Sequence, residues 1–437
     1  MKTRILLIVF LAISFGTYAQ DTLQFQSVQS VLTYADNHSV TFKNANQQTV
    51  LAKYQTLAAQ LGKWNLKGDV NVTATDNTQL QKSFIPAIIF GGPDGTYRKV
   101  TLGQQYVSLL QVSPQFDILN PYSIALVKVS KANEQVTNIA NLLSKKNLYE
   151  SLAGSYYNIR SYQWQIASLE TSLKNADTLT LILQNKQKEG LARSQDVNNT
   201  IANQLAIRNK LQQLQIQLSQ EYENLKLLCD IDPAVKVGVQ NKAQDAIDFD
   251  ARLSVTGNLA EQQGESLRNY QQADLDANKK WYLPTLGFIS NFSSGQYSNS
   301  RFFDGSPLLN SSYVGLKLTI PLLPDINKIA KVKYDRINLQ IAENNLLHSR
   351  LQDSVNNRQL LLEYRKAYAS YQLFGQIEYI KKDSYQKNLN IYKEGLYSAT
   401  DLLTSFNDWL NSSLDTDTQL ANTEFEKTKI IINNTIK

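Results

Sequence analysis

Lys188-Glu189-Gly190-Leu191 recurs as Lys393-Glu394-Gly395-Leu396, and an aspartate follows each glycine at the same spacing, Asp196 and Asp401. Each glycine interrupts a tract that is otherwise poor in helix breakers. Residues 122–232 and 325–437 contain no proline, and their only glycines are Gly154, Gly190, Gly375 and Gly395. Proline breaks helices and glycine weakens them, so these tracts predict very long helices folded back on themselves at Gly190 and Gly395. The apolar spacing agrees. Leu148, Leu152, Ile159, Tyr162, Ile166, Leu169 and Leu173 fall on two alternating positions of a seven-residue repeat, as do Ile207, Leu211, Leu214, Leu218, Leu225 and Leu228. Leu360, Tyr364, Ala367, Tyr371 and Phe374 step by four and three in the second tract. This spacing suits knobs-into-holes packing between neighbouring helices. At ~1.5 Å per residue, a helix from Pro121 to Gly190 reaches on the order of 100 Å.

A second motif repeats upstream of each tract. Lys63-Trp64-Asn65-Leu66 returns as Lys280-Trp281-Tyr282-Leu283, each just ahead of an alternating segment. Val70, Val72 and Ala74 alternate with Asn71, Thr73 and Thr75; Val314, Leu316, Leu318 and Ile320 alternate with Tyr313, Gly315, Lys317 and Thr319. Leu286, Phe288 and Phe292 share a face, and Val100 and Leu102 begin a further, less regular segment. Strands are therefore expected near 69–76, 99–110, 285–293 and 313–321. The two motifs imply a duplicated unit of helix, tryptophan corner, strand, loop, strand and long helical hairpin. Its copies cover 20–232 and 233–437, with extra residues in the first copy around 77–99. Alternating apolar and polar residues suit either a barrel with a wet interior or a half-exposed soluble sheet. Four strands cannot close a barrel, and an open sheet edge cannot face lipid, so membrane-spanning strands would have to be pooled between chains.

Composition removes other classes. Among 437 residues there are one cysteine (Cys229) and two histidines (His38 and His348), too few for a disulfide scaffold, a zinc site or an iron–sulfur cluster. No phosphate-cradling glycine loop, dinucleotide fingerprint or serine-hydrolase elbow occurs, so neither enzymatic activity nor a cofactor is expected. The 44 basic and 38 acidic residues are spread without a basic block, which argues against a nucleic-acid partner. Lys2 and Arg4 precede an apolar run over 5–13, and Thr17-Tyr18-Ala19 offers small residues for cleavage. Residues 1–19 read as a secretory signal, too short to anchor in a bilayer.

The duplication, the opening helix from Leu23 to Asn37, Trp281-Tyr282-Leu283-Pro284-Thr285-Leu286 before a strand, and the two glycine tips together resemble the TolC-like outer-membrane efflux family. The likeness covers the whole mature chain. It implies a mainly α fold with a β-barrel part: a homotrimer pooling its strands into a twelve-stranded barrel in outer-membrane lipid, continued by an α-helical tunnel through the periplasm. Such proteins are passive exit ducts of tripartite efflux pumps or type I secretion systems, joined to a periplasmic adaptor and through it to an inner-membrane pump. Two departures stand out. Lys67-Gly68 occupies the place of Pro284-Thr285, and Tyr397 and Ser398 stand where the family carries a basic residue. A periplasmic adaptor would carry one hairpin in a split β domain, and a structural coiled-coil envelope protein would lack the tryptophan-corner strands.

Several residues acquire expected roles. Asp401 is either a solvated residue at a helix start or, with its counterpart Asp196, part of a carboxylate ring at the narrowest point. Asp401, Thr404 and Asp408 fall on one helical face. Asp196 could equally cap the returning helix. By resemblance, Tyr392 helps hold the tunnel closed, the alternative being ordinary coiled-coil packing. Gly190 and Gly395 let the chain turn, and by resemblance Gly190, Leu191, Gly395 and Leu396 meet the adaptor. Trp64 and Trp281 fit a membrane-interface belt or pack beneath the sheet.

Overall fold

The computed structural model describes residues 22–240, 250, 253–322 and 325–436; the signal read over 1–19 lies outside them. In chain order the first half comprises β1 (Thr22–Phe25), α1 (Val28–His38), α2 (Val40–Gly62), β2 (Lys67–Asp76), β3 (Gln81–Pro86), β4 (Tyr97–Leu102), β5 (Tyr106–Leu119), α3 (Pro121–Lys188) and α4 (Ser194–Cys229). Then follow β6 (Lys236–Val239), α5 (Leu259–Lys279), β7 (Thr285–Ser298), β8 (Leu309–Thr319), α6 (Ile326–Lys393) and α7 (Ala399–Thr435). The two hairpins match in size: α3 and α6 have 68 residues each, and the returning α4 and α7 have 36 and 37.

The chain divides into two compact units, each drawing on both halves of the sequence. The first comprises the chain up to Gln48 together with Ile139–Gln262 and His348–Lys437. Its apolar interior forms two large clusters and a small one of Trp164, Leu420 and Ala421. One large cluster gathers Phe25, Val31, Leu32, Leu152, Ile159, Leu225, Cys229 and Ile432, where the parallel pair β1–β6 lies against the helices. The other gathers Leu169, Leu179, Leu183, Val197, Leu402, Phe406 and Leu410 near the hairpin turns. The heptad positions read from the sequence supply much of both clusters, since Leu152, Ile159 and Leu169 are wholly buried.

The second unit, Thr49–Asn138 with Gln263–Leu347, holds an antiparallel sheet in the order β2-β5-β7-β8. Register puts Val70, Val112, Phe292 and Ser312 in one row, and Phe116, Phe288 and Leu316 in another on the same face. That face carries Val70, Val72, Leu110, Phe292, Val314, Leu316 and Leu318, all exposed. The opposite face carries Asn71, Thr73, Gln111, Ser113, Asn291, Ser293 and Lys317. Alternation is strict in β2 from Val70 to Ala74 and in β8 from Val314 to Leu318, while in the central strands Leu109 and Ile289 join the mainly polar face and Ser108 and Ser290 the mainly apolar one.

The expected strand near 99–110 needs correction. It is two strands, β4 and β5, separated where Gly103 takes a φ of 97°. β4 pairs with β3 in a separate hairpin over 81–102, which takes in most of the extra residues expected around 77–99. β5 continues past Pro114 to Leu119 although proline interrupts sheet ladders. Pro114 has no N–H to donate, the β5–β7 register passes over residues 113 and 114 between Val112–Phe292 and Gln115–Ile289, and the Pro114 carbonyl instead accepts a 2.7 Å bond from the Ser290 hydroxyl. The other strands run 67–76, 285–298 and 309–319, so β7 continues past the expected end at 293 and β8 begins before the expected 313.

Candidate gate and hairpin tips

Both tips end their long helix in the same way. Gly190 and Gly395 lie in the left-handed region, with φ of 74° and 82°. In the first, the Leu191 N–H donates to the Lys186 carbonyl at 2.7 Å and the Gly190 N–H to that of Gln187 at 2.9 Å. In the second, the Leu396 N–H reaches Ile391 at 3.2 Å and the Gly395 N–H reaches Tyr392 at 3.1 Å. This nested pair of bonds satisfies the last helix carbonyls and requires positive φ at the glycine. The leucine after such a cap commonly packs back on the helix. Here Leu191 and Leu396 are 72% and 76% exposed, so the two tips present bare leucines.

The aspartates six residues on sit in the first turn of the returning helices. The Asp196 carboxylate accepts the Arg193 backbone N–H at 3.3 Å. Asp401 accepts the Ser398 hydroxyl at 2.7 Å, while its own N–H donates to that hydroxyl at 3.1 Å. Within one chain, Asp196 thus satisfies the backbone N–H before its helix, whereas α7 is capped by Ser398 and Asp401 holds that cap; both negative charges meet the positive end of a helix dipole. Thr404 donates to the Thr400 carbonyl at 3.0 Å, and Asp408 is paired with Lys381 at 2.6 Å. Asp401, Thr404 and Asp408 are all exposed, while Leu402, Leu403, Phe406 and Leu410 on the other side of α7 are buried. The carboxylates expected to share one face therefore differ electrostatically: Asp408 has a lysine partner, and the Asp401 carboxylate accepts from the Ser398 hydroxyl.

The sequence reading missed Lys186. Its ammonium donates to the Tyr392 carbonyl at 2.9 Å and lies 4.3 Å from the centre of the Tyr392 ring. One residue of the first hairpin thereby binds the second hairpin just above both turns. Burial, and after it the Asp196 carboxylate, push the Tyr392 hydroxyl above its ordinary pKa. Tyr392, Asp196 and Lys186 thus form one cluster, whereas Asp401 and Thr404 belong to the open face of α7. Lys186 escaped notice because its counterpart in the second copy is Ile391, so a comparison of the copies passes over it.

At the corners, Trp64 follows α2 half-exposed, with the Lys63 ammonium 5.1 Å over its ring. Trp281 sits in a short turn, 5.0 Å from the Tyr122 ring, with Lys328 at 5.7 Å. The first corner lacks the Pro284-Thr285 sequence of the second and is built differently. Asn65 takes a φ of 42°, and the Asp117 carboxylate accepts the side-chain amides of Asn65 and Asn120 at 3.2 and 2.8 Å. Among the described residues, no group of three or more His, Cys, Asp or Glu side chains is placed to hold a metal ion, and no helix is long and apolar enough to cross a membrane.

A four-stranded antiparallel sheet with an exposed apolar face, combined with two 68-residue helical hairpin arms, defines the fold of outer-membrane channel proteins. Crystal structures of such proteins superpose over nearly the whole chain. The outer membrane protein VceC of Vibrio cholerae matches with a TM-score of 0.77 at 12% identity, covering 93% of this chain and 95% of its own. The CmeC outer membrane channel of Campylobacter jejuni gives 0.74 at 14% identity, with 93% and 85% covered. The open state of the MtrE outer membrane channel of Neisseria gonorrhoeae gives 0.65 at 12%, with 91% and 88% covered. No protein-family description and no curated protein matches the sequence. The TolC-like resemblance read from the repeated motifs thus holds at the level of the fold.

Proposed function

We propose that this protein is the outer-membrane exit duct of a tripartite efflux or type I secretion system. The observation that carries the reading is the sheet. The four strands share a mainly apolar face, on which Val70, Val72, Val314, Leu316 and Leu318 are each more than 60% exposed, and a mainly polar face opposite. An apolar face of this extent is unfavourable in water and suited to lipid. β5 and β7 have 14 residues each, enough for a tilted transmembrane strand. Three copies would pool twelve strands and leave no edge at β2 or β8. A stripe on α6, including Ile337, Ile341, Leu351, Val355 and Leu362, is exposed at helical spacing and supports further contact between copies.

On this reading solutes pass without covalent chemistry through a barrel and a helical tunnel that narrows at the turns. Asp401, Thr404, Asp196 and Tyr392 regulate the narrow end, with Lys186 as a latch between the hairpins. The bare Leu191 and Leu396 beside Gly190 and Gly395 meet a periplasmic adaptor, which links the duct to an inner-membrane pump. Trp64 and Trp281 lie at the inner lipid interface. The fold that the chain shares with outer-membrane channels, two hairpins included, favours this reading over an adaptor or a coiled-coil envelope protein. Membrane fractionation followed by electrophoresis with and without heating tests it. A detergent-extracted outer-membrane band migrating as a trimer and collapsing to monomer on boiling is expected; a soluble monomer would refute the assignment.

A further inference from the structure

The segment between β2 and β5 does more than connect two strands. β3 and β4 pair residue for residue, Lys82 with Thr101, Phe84 with Lys99 and Pro86 with Tyr97. The Asn77 N–H closes the base on the Gln105 carbonyl at 2.7 Å, at the sheet end where β2 and β7 finish and β5 begins. A single helical turn, Ala87–Phe90, forms the tip. The hairpin keeps its largest apolar side chains bare: Phe84, Ile89 and Tyr97 are 67–68% exposed, and Ile88 and Phe90 are at least half exposed. An isolated two-stranded hairpin is marginal in water, and an apolar tip makes it less favourable still.

Charge follows a depth order along this hairpin. Opposed residues of an antiparallel pair share a face, so one face reads, from the tip inward, Pro86 and Tyr97, then Phe84 and Lys99, then Lys82 and Thr101. Counted inward from the Pro86–Tyr97 pair next to the tip, Arg98 stands one residue in, Lys99 two and Lys82 four, so the collar spans roughly 3–13 Å of strand behind the Ile88-Ile89-Phe90 turn. Arg98 lies with its guanidinium 5.5 Å from the Phe90 ring. The sole acidic residue between 77 and 105 is Asp94, whose carboxylate accepts the Gly95 N–H at 2.9 Å. Apolar groups foremost and a cationic collar behind them match the profile of an anionic lipid leaflet, with hydrocarbon beneath phosphate. Copies of the hairpin carry like charge, which opposes their packing on one another.

We propose that the 81–102 hairpin is a membrane-surface anchor, its Ile88-Ile89-Phe90 tip entering the outer leaflet while Lys82, Arg98 and Lys99 bind phosphate-bearing lipid headgroups. The proposal rests on the bilayer placement of the sheet given above. Its test uses the full mature protein in nanodiscs of phosphatidylcholine, with and without phosphatidylglycerol, carrying Ile89→Cys labelled with a nitroxide. Cys229 is fully buried and leaves the label selective. With phosphatidylglycerol, the label is expected to be reached by oxygen and shielded from a water-soluble nickel chelate. The Lys82→Gln/Arg98→Gln/Lys99→Gln variant should return it to water. A label equally open to the chelate in both lipids would overturn the anchor, as would dipolar broadening between labels, which would put a second copy on the patch. Trimer migration of the same samples separates the two readings: an intact trimer with a wet label defeats the anchor alone, and loss of membrane-inserted trimer defeats the channel reading and the anchor with it.

Discussion

Replacing Lys186 by methionine isolates the contact between the two hairpins. Methionine keeps an unbranched apolar stem of similar length, so packing against Tyr392 is largely retained while the ammonium is removed. Two interactions are lost: the 2.9 Å bond to the Tyr392 carbonyl and the cation lying 4.3 Å over its ring. A hydrogen bond from a charged donor contributes about 1.5–3 kcal/mol, and an exposed cation–π contact about 0.5–1 kcal/mol. Lys186 is only half-buried, so water recovers part of both. A net loss of about 1–2 kcal/mol per chain is reasonable, equivalent to roughly five- to thirtyfold in an equilibrium constant. If the duct opens by parting the hairpins, Lys186→Met should raise the open fraction in planar-bilayer recordings by at least that single-chain factor, with Lys186→Arg intermediate. An open probability within twofold of the parent would refute the latch, because so small a change corresponds to well under the estimated loss.

Asp401→Asn separates charge from capping, since the amide oxygen can still accept the Ser398 hydroxyl. Cation preference measured by reversal potential should fall with little change in thermal stability; unchanged selectivity would leave Asp401 only as a partner of the Ser398 cap. At the tips, Gly395→Val forces a β-branched residue to φ 82°, with a cost of about 1–2 kcal/mol from backbone conformation, because nothing lies within 4 Å of an added Cβ. Export should drop while trimer migration persists, and Gly395→Asn, which tolerates that conformation, should retain more export; equal export by both variants would remove backbone strain as the cause.

Much of this architecture was legible because it depends on local chemistry. The absence of proline over 122–232 and 325–437 and the heptad spacing of Leu152, Ile159 and Leu169 determine long helices wherever they pack. Gly190 and Gly395 mark the turns because a nested helix cap needs positive φ, and the alternation in 69–76 and 313–321 assigns an apolar face before any partner strand is known. The repeated Trp corners, likewise, order the elements without reference to contacts.

The tertiary structure decided what depends on residues far apart in the chain. At Pro114, where the ladder to β7 lapses, the carbonyl finds its partner in the Ser290 hydroxyl 176 residues away. Lys186 meets Tyr392 across 206 residues, and no local pattern distinguishes it from other helix lysines. The fates of Asp401 and Asp408, matched on one helix face, diverge because Lys381 from α6 reaches only the second. Periodicity specifies which face of an element is apolar, but which polar side chain meets which is set by register between elements. Those pairings exist only after the helices and strands have packed.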